Sequence, residues 1–441
     1  MFKKLSIYIL SFILIISIVS CPASAYQING FELEAHTAIL CSLDTGDILY
    51  SKNADEKVYP ASLTKMLAAV VLIENTTDLD NEILTYTNEA NNEILGTGSV
   101  VVGLKIGEKI TARQALNCLL ISSGGDVAYA IAHHYGGNTD GFVAMMNEKA
   151  KEIGMTNSHF GNPVGLHDSE TYTTGNDILT LAKYALKHEV FKEVTSTVRY
   201  TLPPTNMSAK ERTYTTTNFL TNPTTNYYYS YASGIKTGFT TEAGRCVVST
   251  ASYNGYNYIC VIMGCKNADG RRHEFMDSRS LYRWAFNNFE YKSILDTTKP
   301  ITEIEVELSL DTDHIPLYAE KNLAQIFPKN ADTSTITIKP NLISDTVDAP
   351  VKAGDVLGTA DVYYSEEKIG TVNLVAGETV NSSLVMVVAR VFKNIFTSVA
   401  FKVILGLIGL AILIYVAMII KLNYGRKNHR KVKYIPMDKD K

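Results

Sequence analysis

The chain has few of the residues that build metal and redox centres. Its six cysteines include no C-x-x-C pair, and no cysteine–histidine spacing is of the kind that binds zinc. Cys21 lies in a segment that we expect to be removed, so an odd number of cysteines would remain, which argues against a disulfide framework. The sequence also has no glycine-rich phosphate loop. It therefore predicts no metal and no cofactor.

An excess of charge of one sign is also missing. The 41 basic residues nearly balance the 45 acidic ones, and the net charge is −4. Proteins that bind nucleic acid usually have a strongly basic patch or stripe. We therefore expect no nucleic-acid partner.

A mainly apolar segment lies at the amino terminus. Residues 5–19 follow a basic start that contains Lys3 and Lys4, and Ala23-Ser24-Ala25 comes shortly after them. This order predicts a secretory signal peptide over residues 1–25 and an exported mature chain. An alternative is that Cys21, which ends a lipobox-like Ile-Val-Ser-Cys, is lipidated.

A second apolar segment lies near the carboxyl terminus. Residues 403–420 contain no charged side chain, and a basic tail over 421–441 begins with Lys421. About 18 apolar residues are near the minimum for a transmembrane helix. Because basic residues favour the cytoplasmic side, we expect a cytoplasmic tail and a catalytic part on the outer face of the cell membrane. The alternative is an amphipathic helix on the membrane surface.

Between these ends, three short motifs occur in a fixed order. A lone S-x-x-K is expected about once or twice by chance in a chain of this length, whereas K-T-G is much rarer. The ordered set is therefore the informative signal. The motifs are Ser62-Leu63-Thr64-Lys65, Ser123-Gly124-Gly125 and Lys236-Thr237-Gly238.

The first motif predicts a serine nucleophile with a lysine base. Residues 63–74 are rich in apolar helix formers and contain no glycine or proline, so we expect a buried helix with Ser62 at its start. Residues three apart share a helix face, which places Lys65 beside Ser62. Burial and nearby positive charge would lower the pKa of Lys65 enough for it to accept a proton. Taken alone, the motif also fits a helix-capping serine followed by a surface lysine.

The third motif precedes two β-branched runs that predict paired strands with a turn at Asn254-Gly255. A strand edge can bind an extended peptide, and a lysine and a threonine can hold its carboxylate. Gly238 would let another backbone approach closely. In isolation, the motif fits equally well an ordinary strand with an exposed lysine and threonine.

With further matching stretches, these motifs make the chain similar to the low-molecular-mass penicillin-binding proteins, which are serine-type D-alanyl-D-alanine carboxypeptidases. The resemblance covers about residues 32–290. The further stretches are residues 38–50, 60–66, 104–108, 162–166, 172–174 and 234–244.

The resemblance implies an α/β (α+β) fold of the serine β-lactamase and transpeptidase type, in which helices flank an antiparallel sheet. It implies that the enzyme removes the terminal D-Ala from peptidoglycan stem pentapeptides through a Ser62 acyl-enzyme. β-Lactams would acylate the same serine as covalent inhibitors. Lys65 would be the base, and Ser123 would relay a proton to the leaving amine.

The resemblance also implies the substrate contacts. Lys236 and Thr237 would hold the terminal carboxylate of the peptide. The backbone N–H groups of Ser62 and Phe239 would form the oxyanion hole. Gly238, the last residue of the K-T-G motif, would connect the two carboxylate-holding residues to Phe239.

The second motif departs from the family pattern, because Gly125 stands where an asparagine is usual. Loss of one polar contact would slow the enzyme or alter its substrate preference, although a water or a nearby side chain could fill the gap. On this view, Gly125→Asn should raise the rate. The missing amide also leaves open a non-catalytic or weakly catalytic wall-binding or sensor protein.

Two enzymatic alternatives share the fold. A secreted β-lactamase usually has an E-x-x-L-N segment after the second motif, and this chain has none. A DD-endopeptidase or transpeptidase would use the same site with a different substrate or acceptor.

The domain plan follows from these signals and from period-two alternation such as that of residues 301–308. After the signal peptide, we expect the catalytic domain over 26–292 and a small all-β domain over 293–385. A juxtamembrane segment over 386–402 would lead to the transmembrane helix over 403–420 and the tail over 421–441.

Overall fold

A computed structural model describes residues 32–267 and 269–428 of the chain. They divide into two compact units. The first extends to Tyr291 and includes Ile326–Lys329, and the second comprises Lys292–Gln325 and the residues from Asn330 on. The predicted signal peptide, with Cys21, and the end of the predicted tail lie outside the described residues.

The first unit is built around an antiparallel sheet of five strands in the order β2-β1-β9-β8-β7. The strand that contains the K-T-G motif, β7, is therefore an edge strand. The strands up to residue 265 are β1 (Thr37–Ser42), β2 (Ile48–Lys52), β3 (Ile83–Thr85), β4 (Lys109–Thr111), β5 (Arg199–Leu202), β6 (Arg212–Thr215), β7 (Ala232–Thr240), β8 (Gly244–Tyr253) and β9 (Tyr256–Cys265).

Helices cover both faces of this sheet. They are α1 (Thr64–Asn75), α2 (Asn88–Ile94), α3 (Ala112–Ile121), α4 (Gly125–Gly136), α5 (Thr139–Glu152), α6 (Gly175–Ala185), α7 (Glu189–Ser196) and α8 (His273–Asn288). On β1, Ile39 and Cys41 join the core on one face, whereas Ala38 and Leu40 join the core that includes residues of α8. Successive side chains of a strand point to opposite faces, so a central strand covered on both sides is apolar throughout.

Helix α1 is buried on nearly all sides, because its residues from Thr64 to Leu72 are all buried. A helix that is apolar around its whole circumference packs inside a domain. The predicted helix over residues 63–74 is thus confirmed, and it begins one residue later. Ser62 lies in the preceding 3₁₀ turn, Ala61–Leu63.

The predicted turn between the two β-branched strands is also confirmed. Asn254 and Gly255 connect β8 to β9 with φ angles of 50° and 84°. Both residue types tolerate this left-handed region, which a two-residue hairpin requires.

The five described cysteines are free and buried. Cys246 of β8 and Cys260 of β9 lie on paired strands, but the residue opposite Cys260 is Ser249, not Cys246.

The second unit contains a six-stranded sheet in the order β14-β16-β17-β12-β11-β15. Strands β11 and β15 are parallel, and the other pairs are antiparallel. The remaining strands of the chain are β10 (Phe289–Ser293), β11 (Thr302–Glu307), β12 (His314–Ala319), β13 (Ala324–Pro328), β14 (Ile336–Leu342), β15 (Thr346–Asp348), β16 (Val356–Tyr364) and β17 (Glu367–Ala376).

Two helices follow the last strand, α9 (Leu384–Thr397) and α10 (Val399–Asn428). Arg390 of α9 forms ion pairs with Asp348 and Glu307 of the β domain. The stretch Val399–Leu422 of α10 is long and apolar enough to cross a membrane. Its side chains are not buried in the described structure. This agrees with membrane association through the carboxyl-terminal helix.

Helix α9 was not foreseen as an element of its own. One stripe of this helix exposes apolar side chains, including Leu384, Val388, Val391 and Ile395. An amphipathic helix of this kind can lie in the membrane interface. The predicted juxtamembrane segment therefore contains a second surface suited to lipid.

We expect membrane attachment to be lost in two steps. A signal-less chain that ends at Ser398 keeps α9 and should bind lipid vesicles weakly, whereas a chain that ends at Ser383 should stay in solution. Vesicle sedimentation measures the bound fraction. If the chain that ends at Ser383 still sediments, the main attachment lies elsewhere.

Candidate active site

The first two predicted residues lie in contact. The Nζ of Lys65 is 2.9 Å from the Oγ of Ser62, and it donates a hydrogen bond of 2.8 Å to the carbonyl of Val164. Lys65 is in the first turn of α1 and is only 1% exposed. The structure thus excludes the alternative in which Lys65 is a surface side chain.

Burial changes the acid–base properties of Lys65. Removal from water disfavours the ammonium form and lowers the pKa of Lys65 to about 7, although the negative charge of Asp126 acts in the opposite direction. A lysine with this pKa is substantially neutral near physiological pH. Its free amine can then accept the proton of the Ser62 hydroxyl.

The loop over residues 162–166 fixes the second contact of Lys65. The Oδ1 of Asn162 accepts hydrogen bonds from the N–H groups of Gly165 and Leu166, at 2.8 and 3.0 Å. Gly165 has φ +79°, and a Cβ there would lie 1.8 Å from the carbonyl oxygen of Ala61. Only glycine fits, because the loop packs directly on the turn that contains Ser62.

The K-T-G strand contributes a second buried lysine. Lys236 is 1% exposed, and its Nζ donates to the carbonyl of Thr237 at 2.9 Å. Burial and the nearby charge of Lys65 both lower the pKa of Lys236 well below its usual value. The Oγ1 of Thr237 is 2.5 Å from the Oγ1 of Thr217.

Gly238 allows β7 to approach the turn that contains Ser62. A Cβ at Gly238 would lie 3.1 Å from the backbone nitrogen of Ser62 and equally close to the Pro60 carbonyl and the Ala61 Cβ. The expected close approach of another backbone is therefore present. Next to it, Phe239 is 47% exposed at the groove.

Ser123 lies between α3 and α4 and is buried, with φ +64°. Non-glycine residues with such angles are uncommon and cluster at functional sites. It lines the same groove as Ser62 and Thr237. Within the described residues, no hydrogen bond joins the Ser123 hydroxyl to Ser62 or Lys65, so the structure brings Ser123 to the site without a direct contact.

These residues line one open groove with a volume of about 980 Å³. Four other segments contribute to its walls, and the three motifs did not indicate them. Their groove-lining residues include Thr97, Ser99, Val100, Leu166, His167, Thr216, Thr217 and Arg272.

Arg272 is the charged member of this set. Its guanidinium lies 4.5 Å from the ring centre of Phe219 and 4.7 Å from that of Phe275, and its Nε donates to Glu274 at 2.6 Å. The two rings and the carboxylate hold the cation in one place. No local sequence signal marks this arginine, because its ring partners come from separate segments.

The space beside Gly125 is not open. A Cβ at this position would lie 2.5 Å from the Oγ of Ser99 and 3.1 Å from the carbonyl oxygen of Val100. The added side chain of Gly125→Asn would therefore meet this loop, and the expected gain in rate stays a prediction that depends on whether the loop can give way.

Among residues 32–267 and 269–428, no group of three histidine, cysteine or acidic side chains is arranged to hold a metal ion. The lining of the groove includes many hydroxyl groups, several apolar side chains, Arg272 and Glu242.

A model of the D-alanyl-D-alanine carboxypeptidase family matches residues 23–267 of the chain. The chain belongs to this family. A second model, described as the C-terminal domain of penicillin-binding protein 5, matches residues 289–382. The predicted fold class, with its carboxyl-terminal all-β domain, is confirmed.

Known relatives agree with this assignment. D-alanyl-D-alanine carboxypeptidase DacF of Bacillus subtilis is 28% identical over 74% of this chain and 80% of its own length. Penicillin-binding protein 5 from Haemophilus influenzae, as seen in its crystal structure, is 26% identical in sequence to this chain. The structural match has a TM-score of 0.63 and covers 81% of this chain and 100% of the Haemophilus influenzae chain. A D-alanyl-D-alanine endopeptidase of Pseudomonas aeruginosa is 30% identical over 57% of this chain and 77% of its own length.

The predicted activity class is therefore confirmed: this chain is an enzyme, a serine-type D-alanyl-D-alanine carboxypeptidase and hence a hydrolase. The endopeptidase relative gives only weak support to the endopeptidase alternative, since its match covers less of this chain than that of the carboxypeptidase DacF.

We expect acylation of the enzyme to rise with pH through about 7 and to level off above it, because only neutral Lys65 accepts a proton. Stopped-flow measurement of penicillin acylation between pH 5 and 9 tests this. Lys65→Arg, which stays cationic, should be nearly inactive throughout. A wild-type rate that is independent of pH across this range would contradict the assignment.

Proposed function

We propose that Ser62 is the nucleophile of this carboxypeptidase and that Lys65 is its base. The observation that supports this most strongly is the 2.9 Å contact between the Ser62 Oγ and a buried lysine whose pKa is lowered to about 7. The neutral amine takes the hydroxyl proton while Oγ bonds to the carbonyl carbon of the penultimate D-Ala. The carbonyl oxygen then becomes an oxyanion.

The oxyanion is stabilised by backbone N–H groups of Ser62 and Phe239, which lie on the two segments that Gly238 brings together. The C–N bond breaks, and Ser123 relays the proton that Lys65 took from Ser62 to the departing amine of D-Ala, which returns Lys65 to its neutral form. Water then attacks the ester carbonyl with Lys65 as base, which releases the shortened peptide and restores Ser62. β-Lactams acylate Ser62 by the same first step.

The terminal carboxylate of the substrate is held by Lys236 and Thr237, with Thr217 beside them. Burial lowers the pKa of Lys236, but an incoming carboxylate favours its ammonium form, and the two opposite charges attract strongly in a site shielded from water. Arg272, fixed beside two aromatic rings, adds a cationic side chain to the lining of the groove that also contains Thr237 and Thr217. Together they select a peptide with a free carboxyl end over an internal peptide segment.

The substrate is the stem pentapeptide of peptidoglycan, and the enzyme acts on it at the outer face of the cell membrane. The predicted signal peptide, the apolar helix α10 and the basic residues after it support this orientation. In the order of the chain, the β domain follows the catalytic unit and precedes that helix.

A non-catalytic wall-binding protein is the weaker candidate. It would need no lysine buried in contact with a serine, and burying two lysines without a function is costly, because the ammonium form of each is disfavoured away from water. The Ser62–Lys65 contact therefore favours the enzyme.

Penicillin should add covalently to Ser62, and the signal-less enzyme should release one D-Ala from a pentapeptide. Ser62→Ala should lose both activities while it keeps the thermal midpoint of the wild type, because the hydroxyl is the only group removed. Peptide mapping of the penicillin adduct and mass analysis of the pentapeptide provide the two readouts. An adduct on any other residue would contradict the assignment of Ser62 as the nucleophile.

Removal of the charge at Lys236 should cost most of the activity. Lys236→Ala loses both the positive charge and the space-filling chain, so we expect kcat/KM for the pentapeptide to fall at least about a hundredfold. Lys236→Arg keeps the charge and should retain a measurable part of the rate. Equal rates for wild type and Lys236→Ala would show that this lysine does not hold the substrate carboxylate.

A further inference from the structure

The position of Ser99 explains why residue 125 is a glycine. The three atoms closest to a Cβ built on Gly125 are the Oγ of Ser99 at 2.5 Å, the Cδ1 of Ile94 at 2.9 Å and the carbonyl oxygen of Val100 at 3.1 Å. All three distances are shorter than ordinary van der Waals contact. The volume that a side chain of residue 125 would fill is therefore occupied, and its polar occupant is the hydroxyl of Ser99.

The loop that holds Ser99 is fixed to the start of α4. The N–H of Gly125 donates to the carbonyl of Val100 at 2.6 Å. The carboxylate of Asp126, which is 2% exposed, accepts hydrogen bonds from the N–H groups of Val102, Gly103 and Leu104, at 3.0, 2.9 and 2.9 Å. Backbone bonds to a buried carboxylate are strong, so the loop is held in one conformation.

The Ser99 hydroxyl is available to a ligand. It lines the same groove as Ser62, Ser123 and Thr237, and it is partly exposed. The neighbouring Thr97 hydroxyl already donates to the carbonyl of Ile94 and accepts from the N–H of Ser99. In contrast, the Oγ of Ser99 has no hydrogen-bond partner within residues 32–267 and 269–428. A hydroxyl can both donate and accept, which suits a peptide amide.

We propose that Ser99 is a substrate-binding residue of this enzyme, and that its hydroxyl makes the polar contact to the stem-peptide backbone from the space beside Gly125. Asp126 is the positioning residue that keeps the loop in place. The inference rests on the proposed function, since the substrate is the peptide cleaved at Ser62. On this account the glycine does not weaken the site, because the polar group comes from another segment.

The test exchanges the two side chains. We would compare wild type, Ser99→Ala, Ser99→Thr, Gly125→Asn and the double variant Ser99→Gly/Gly125→Asn. For each, kcat/KM for D-Ala release from a pentapeptide is measured together with the thermal midpoint. Ser196→Ala, an exposed serine outside the groove, is the matched control and should behave as wild type.

We expect Ser99→Ala to lower kcat/KM about tenfold at an unchanged midpoint, because one polar contact is lost. Ser99→Thr keeps the hydroxyl and should retain most of the rate. Gly125→Asn should also be slower than wild type, because its side chain displaces Ser99. The double variant should recover part of that loss, because its amide takes the vacated space.

Three results would overturn the proposal. They are a wild-type rate in Ser99→Ala, a Gly125→Asn enzyme faster than wild type, and a double variant no faster than Gly125→Asn. The proposal would likewise be overturned if, in both Ser99 variants, the rate falls together with the thermal midpoint, because Ser99 would then only stabilise the loop. Failure of the proposed function is distinguishable, because a wild-type enzyme that releases no D-Ala would overturn both proposals together.

Discussion

Burial of two lysines in one cleft is the constraint on which the catalytic unit depends. Lys65 and Lys236 are each 1% exposed, and the pKa of each is lowered by burial. The nearby charge of Lys65 adds to the effect of burial on Lys236, because two positive charges in this space are unfavourable. The arrangement places an amine of lowered pKa at Ser62 and a second one on the K-T-G strand. The all-round burial of α1 and the approach that Gly238 allows keep water away from both groups.

Loops held by single polar side chains complete the site around this pair. Asn162 orders the segment whose Val164 carbonyl accepts from Lys65, and Asp126 orders the segment that contains Ser99. In both cases one side chain satisfies several backbone N–H groups, which a loop without regular structure would otherwise leave unpaired. The rigid sheet and helices position the reacting atoms, and these loops shape the groove in which the peptide lies.

The parts that the sequence predicts well depend on local spacing. Ser62 and Lys65 are separated by one helical turn, and Asn254-Gly255 is a strong two-residue turn signal, so both are visible without tertiary information. Ser99 and Arg272 were missed because their positions depend on contacts between distant segments. The same limit applies to Gly125, because nothing in the adjacent residues indicates that Ser99 lies in the space beside it. Helix α9 was overlooked because its apolar stripe merges with the longer apolar run that follows.

The central claim is that Lys65 is neutral near physiological pH because it is buried beside Ser62. The most direct measurement is an NMR titration of the lysine side chains in the intact catalytic chain, with Lys65→Arg used to assign the Lys65 signal. The account predicts that the Lys65 signal titrates near pH 7. A Lys65 signal that titrates near its ordinary value of about 10.4 would contradict it.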